Sequence, residues 1–283
     1  MIRATVASVS TGIFLALIKM VAYFFTGSVA LLTSLVDSVI DIFSSLVNMF
    51  AVKHAVVPAD NEHRFGHGKI ESLAGLAQSA FIAGSVMFIM FEAFNRLVHP
   101  EPVTHGLIGL LVMIISMIAT IALVLYQRMV IRQTGSVVIK ADSLHYVSDI
   151  LFNASVILAI VLSYYFGISS ADPIIALLIA GYILFGVFSI ARHCLDQLLD
   201  RELPDSERDK ILKLLMSHPE VRGVHGLRTR ASGRDIFIQC HIELDGDLNL
   251  VTAHEIAAQV EKKICNAYPN ADIIIHQDPE NDE

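Results

Sequence analysis

Six stretches of the chain, at approximately 4–25, 29–52, 70–95, 106–127, 138–165 and 172–192, are apolar over lengths that cross a hydrocarbon core of about 30 Å, which takes roughly 20 helical residues. Backbone amides find no water at that depth, so each stretch must close its own hydrogen bonds as a helix. Across 283 residues the hydrophobic share is 54% and the charged share only 17%, which excludes an ordinary soluble domain. The first stretch is too long and too lightly flanked for a cleaved leader, and Lys19 interrupts it, so it reads as a true span. Arg3, Lys53, Arg64, Lys69, Arg128, Arg132, Lys140, Arg192 and Arg201 all fall on one side of a six-span arrangement, against little beyond Arg96 on the other. Positive loops stay in the cytoplasm, which puts both termini and the C-terminal region there.

The apolar runs end near Asp200–Pro204, so the expected division is a transmembrane domain over 1–199 and a soluble domain over 200–283. The latter holds seventeen Asp or Glu against ten Lys or Arg. That surface attracts cations and argues against nucleic acid or a polybasic lipid anchor. Pro204–His218 has helical start signals and periodicity, and VRGVHGLRTRAS and RDIFIQCHIELD read as strands joined around Ser232-Gly233. In the second strand Ile236, Ile238, Cys240 and Ile242 alternate inward. Thr252–Tyr268 reads as a helix and ADIIIHQD as a third strand, an α-β-β-α-β order with helices on one side of a sheet. Cys194, Cys240 and Cys265 are far apart and form no C-x-x-C, which suits a reducing compartment and points away from thiolate ligands.

Within this apolar frame sit two pairs of ionisable residues at i,i+4 spacing, Asp37 with Asp41 in the second span and His145 with Asp149 in the fifth. Spacing of four puts both members on one helix face. Charge inside a membrane is costly and usually functional. The second span enters from the outer face near residue 29, which sets Asp37 roughly 12 Å and Asp41 roughly 18 Å deep at 1.5 Å per residue. The fifth enters from the cytoplasm near residue 137, so Asp41 levels with His145 and Asp37 with Asp149, and all four meet near the midplane of a core about 30 Å thick. Three carboxylates and an imidazole form a closed four-ligand cage suited to Zn²⁺, with Fe²⁺, Mn²⁺ and Co²⁺ compatible and Cu⁺ disfavoured. These ligands must shed protons to take metal and regain them on release, which would exchange metal for H⁺.

Six spans, D-x-x-x-D in the second, H-x-x-x-D in the fifth, the loop ADNEHRFGHGKIESL and an acidic ferredoxin-like tail occur in that order, and together they resemble the cation diffusion facilitator family, within it the bacterial zinc/proton antiporter branch. The resemblance covers essentially the whole chain. It implies an all-α six-helix transmembrane domain plus an α+β ferredoxin-like cytoplasmic domain. It further implies a homodimer in the bacterial inner membrane with alternating access, exporting Zn²⁺, with Cd²⁺ and Fe²⁺ as further cargo, against inward proton flow. Zn²⁺ would serve as substrate and also as a bound structural or regulatory ion. By the same resemblance Asp37, Asp41, His145 and Asp149 are the transport site, and Asp60, His63 and His67 a loop site. His225, His241, His276 and Asp278 then form a binuclear tail site with Asp278 as bridge and His254 as a further ligand. Lys69 and Asp200 match a charged pair at the dimer seam, and Leu144 a hydrophobic gate. His54, His99, His105, His193 and His218 match no motif and read as surface or interfacial residues. The family also carries a longer cytoplasmic lead than the residues before Arg3 here.

Two other classes compete. A membrane-embedded metalloenzyme needs an open coordination position, which a closed four-ligand cage lacks, and H-E-x-x-H is absent from the sequence. A cation channel would favour weak, multiple sites along a pore, and a membrane metal sensor would keep a metal-dependent change of shape without vectorial transport.

Overall fold

A computed structural model of the chain describes residues 1–98, 107–166 and 171–280. They form two compact units, Met1–Leu195 and Asp196–Glu283. The first unit consists of α1 (Ile2–Thr26), α2 (Val29–Ala55), α3 (Lys69–Val98), α4 (Leu107–Thr134), α5 (Val137–Phe166) and most of α6 (Ala171–Leu198). Among the described residues, five of these helices, all but α5, are long and apolar enough to cross a membrane by length and composition. α5 is 30 residues long, but its first half carries Lys140, Asp142, His145 and Asp149. A helix with that content fits a bilayer only with its polar face turned into a bundle.

The sorting of side chains agrees. Phe24, Phe25, Phe43, Phe88, Phe91 and Phe185 face outward, as they would toward lipid. Ser8, Ser45, Asn48, Gln127 and Asp142 are buried. Asp142 on α5 is the centre of this interior: its Oδ2 accepts from Ser8 Oγ of α1 and Gln127 Nε2 of α4, both at 2.7 Å, and its Oδ1 from Asn48 Nδ2 of α2 at 3.1 Å. One carboxylate thereby joins four helices. On the other side of α5, Ile82 and Val86 of α3 pack with Ala180, Ile183 and Val187 of α6.

The start of α5 is set by two side chains. Ser136 Oγ accepts from Ile139 N–H at 3.4 Å, an N-cap arrangement. Glu71 of α3, itself only 3% exposed, accepts from Val137 N–H at 2.8 Å and from Ser136 Oγ. Its carboxylate thus meets the positive end of the helix dipole.

The second unit runs α7 (Asp205–Leu215), β1 (Gly223–Ser232), β2 (Asp235–Leu244), α8 (Leu250–Ala267) and β3 (Ala271–Pro279). The sheet order is β1-β2-β3. β1 and β2 are an antiparallel hairpin closing at Ser232 and Asp235, whereas β3 lies parallel to β2, which requires the crossover that α8 supplies. Asn249 caps α8, its side chain accepting from Thr252 N–H at 3.0 Å. Ile238, Cys240, Ile242 and Leu244 of β2 pack on Ile211 and Leu215 of α7 and on Ile256, Val260 and Ile264 of α8. The expected inward alternation holds, except that Ile236 is only partly buried at the strand's start. The helices cover one face of the sheet, leaving Gln239, His241 and Glu243 on the other.

The cap at α5 is directly testable. Glu71→Ala leaves Val137 N–H without its carboxylate and is expected to cost about 1–3 kcal/mol, with Glu71→Gln retaining part of it. Thermal unfolding of the purified full chain in detergent reads the order wild type, Gln, Ala.

Candidate metal centres

In the bundle, Asp41 of α2 meets His145 of α5, with His145 Nε2 and Asp41 Oδ1 2.8 Å apart. Asp149 Oδ2, one turn along α5, lies 3.9 Å from the same nitrogen. Asp41, His145 and Asp149 each offer a ligand atom within 4.8 Å of the others. The levelling of Asp41 with His145 expected from depth is thus seen as a direct contact. Asp37 differs from its expected place. It lines one cavity of about 350 Å³ with Asp41 and Asp149, but its carboxylate is not part of that close group. The His145 ring is flanked by Phe81 of α3, edge-on at 6.0 Å between centroids, and by its neighbour Tyr146. Leu144 packs against the cluster of Ile82, Val86, Ala180, Ile183 and Val187 and against a second one of Val137, Ala141, Ile190 and Cys194, and a Cβ on Gly186 would come within 3.1 Å of its methyl carbon.

Between α2 and α3, Asp60 accepts backbone N–H bonds from His63 at 2.6 Å and Glu62 at 2.9 Å. The His63 amide bond, with lesser help from Glu62 and the His63 ring, holds the Asp60 carboxyl below the usual carboxylate range. His63 Nδ1 and His67 Nε2 lie 3.3 and 3.5 Å from its two oxygens. His67 Nδ1 faces Val57 O at 3.4 Å, so the carbonyl selects the tautomer that leaves Nε2 free as a donor to metal. Three ligands on a half-open loop leave room for water as a fourth.

In the C-terminal unit, His225, His241 and His276 are register partners across all three strands and form one row on the helix-free face. Adjacent rings stand 4.9 Å apart. Asp278 gathers them: His241 Nδ1 lies 2.8 Å and His225 Nε2 3.3 Å from Oδ2, while His276 Nε2 lies 2.9 Å from Oδ1. The His241 hydrogen bond, then the charges of His276 and the other rings, holds this carboxyl below its ordinary range. Gly226 makes the row fit. It sits in a bulge at φ +61°, and a Cβ there would stand 2.9 Å from His241 Cδ2. His254 is not brought to this row within one chain: it is exposed on α8, whose apolar side packs against the opposite face of the sheet.

Lys69 opens α3, and Asp200 follows α6 in a positive-φ turn with Oδ1 3.1 Å from Arg230 Nη1. His54 is exposed, as expected, and bonds Phe50 O. His218 corrects its expectation. It is 8% exposed, bonded through Nε2 to Gln259 Oε1 and through Nδ1 to Glu220 N–H, because the turn after α7 folds it under α8. His99 and His105 lie outside the described residues.

Three residues that spacing motifs passed over belong with these centres. Glu243 accepts from His225 Nδ1 at 3.0 Å and so aims its Nε2 at Asp278, and strand alternation alone places it beside His241. Asp142 was visible as a further acidic residue one turn before His145. Lys19, an interruption of an apolar run, reaches the cavity of Asp37, Asp41 and Asp149.

Residues 4–199 match the cation efflux transmembrane domain and residues 203–280 the cytoplasmic domain of cation efflux proteins. The chain is 47% identical over 277 residues to the cation-efflux pump FieF of Klebsiella pneumoniae subsp. pneumoniae, covering 98% of this chain and 92% of that protein. It is 46% identical, over the same shares, to the FieF of Cronobacter sakazakii. Among solved structures, the Zn form of CzrB matches 30% of this chain and 97% of its own at 29% identity and a TM-score of 0.28. A nickel form of the MamM CTD matches 28% and 100% at 25% identity and a TM-score of 0.27. With both domain matches in order and together reaching nearly end to end, the chain belongs to the cation efflux, or cation diffusion facilitator, family.

Proposed function

We propose that the chain exports a divalent metal ion, mainly Zn²⁺ with Cd²⁺ and Fe²⁺ as further cargo, in exchange for protons and as a homodimer in the bacterial inner membrane. The observation that carries this reading is the bond between His145 Nε2 and Asp41 Oδ1. In this state a hydrogen occupies the line between two atoms that a metal ion would take as ligands. Metal at Nε2 requires that hydrogen to leave the nitrogen; an imidazolium releases it as the exchanged proton and regains it when the metal leaves. Asp149 is the third ligand, and Asp37 completes the set by turning its side chain inward from the wall of the same cavity. One imidazole with three carboxylates favours Zn²⁺ and Cd²⁺ over softer cargo. A closed set of four leaves no position for an activated water, which favours carriage over hydrolysis.

Alternating access then needs two barriers, one on each side of the cage. Leu144, wedged between α5 and α6 next to His145, serves as the inner one. With both termini and the C-terminal unit in the cytoplasm, inward proton flow drives metal outward. Asp60, His63 and His67 collect or hold metal in the loop. His225, His241, His276 and Asp278 bind metal in the tail, where it regulates transport and supports the dimer.

Three measurements follow. In proteoliposomes with an imposed pH gradient, wild type is expected to show saturable Zn²⁺ flux driven by the gradient, and Asp149→Ala to abolish it; flux that persists in the variant moves the pathway elsewhere. For the tail, Gly226→Ala drives a methyl group onto His241 and strains a positive-φ position, so it is expected to weaken Zn²⁺ binding by the full chain at least tenfold. The set His225→Ala, His241→Ala and Asp278→Ala is expected to change the Zn²⁺ dependence of flux, and an unchanged dependence would remove the regulatory role.

A further inference from the structure

A lysine in the middle of an apolar span needs a reason. Lys19 follows Leu15 by four residues and precedes Ala22 by three, and both of those are buried, as are Ser8 and Gly12 further along the stripe. It therefore sits on the packed side of α1 rather than the lipid side. Its Nζ donates to Ser38 Oγ at 2.7 Å and to Ser34 O at 3.1 Å, so the ammonium is anchored on α2. Ser34, Asp37, Ser38 and Asp41 share one face of α2 by their spacing, and Lys19, Asp37, Asp41 and Asp149 line one cavity. Among the described residues of that lining, Lys19 is the only cation.

Charge counting gives this arrangement a meaning. Three carboxylates and one ammonium leave the cavity two negative charges, equal and opposite to a divalent ion. Net charge is most expensive where water is scarce. A loaded cage without Lys19 would carry an uncompensated negative charge. A fixed positive charge in the same cavity also opposes a bound cation by like-charge repulsion.

We propose that Lys19 is a positioning residue of the transport cycle: a tethered positive charge that makes the metal-loaded cage electrically neutral and weakens cation binding enough for release. The proposal rests on the transport reading above. Mere helix-to-helix glue would depend on the hydrogen bonds to Ser34 and Ser38, whereas this role depends on charge. Lys19→Gln keeps a donor and loses the charge, and Lys19→Arg keeps the charge.

The test is Zn²⁺ uptake into proteoliposomes by the full chain, with KM and maximal rate measured separately for wild type, Lys19→Gln and Lys19→Arg. Lys19→Gln is expected to lower KM at least tenfold and to lower the maximal rate by a similar factor, while Lys19→Arg stays within about twofold of wild type in both. An unchanged or raised KM in Lys19→Gln overturns the proposal. Should that variant fail to assemble as judged by gel filtration, Lys19→Met, better suited to an apolar helix, carries the same expectation. Asp149→Ala separates the two levels: flux that survives it moves the pathway away from this cage, whereas an unaltered KM in the Lys19 variants removes only the role of Lys19.

Discussion

A carboxylate inside an apolar bundle persists only where neighbouring helices supply its hydrogen bonds, and the membrane unit is arranged around such places. Taking an ion out of water costs several kcal/mol even after relaxation. A hydrogen bond to a charged group returns roughly 1.5–3 kcal/mol. Asp142 receives bonds from Ser8, Asn48 and Gln127, and these offset part of the cost of its burial. Glu71 does the same with the first turn of α5. The result is more specific than greasy packing, because α1, α2, α4 and α5 must take one mutual register for Asp142 to be satisfied. That register brings Asp41 to His145.

The C-terminal unit assembles its histidine cluster by a different route. There the constraint is strand register. Helices α7 and α8 fill one face of the sheet with Ile211, Leu215, Val260 and Ile264, which leaves the other face to polar side chains at every second position. Pairing of His225 with His241 and of His241 with His276 then stacks three imidazoles in line, and Asp278 and Glu243, two residues beyond His276 and His241, fall beside them. An acidic surface and a row of imidazoles on a rigid sheet offer a metal ion fixed ligands with little ordering cost.

Much of this was legible in the sequence, for physical reasons that differ by element. The spans were, since apolar runs of membrane length have few other solutions, although the helices overrun them. α6 continues to Leu198 because Ile190 and Cys194 still pack against Val137 and Ala141. Asp41, His145 and Asp149 were legible because a spacing of four and a rise per residue fix face and depth. Asp37 was not, since the closeness of a side chain to a shared centre depends on helix rotation that spacing does not encode. Lys19 looked like a blemish in a hydrophobic run because its partners, Ser34 and Ser38, belong to the next helix. Glu243 and the burial of His218 likewise depend on contacts distant in sequence.

The central claim is that the cage of Asp41, His145 and Asp149 holds the transported ion, and anomalous scattering at the zinc edge from crystals of the full chain equilibrated with Zn²⁺ tests it most directly. A peak is expected in the bundle within about 2.0–2.2 Å of His145 Nε2 and of oxygens from Asp41 and Asp149. Peaks confined to the loop and the tail sheet, in a preparation that still transports Zn²⁺, would contradict it.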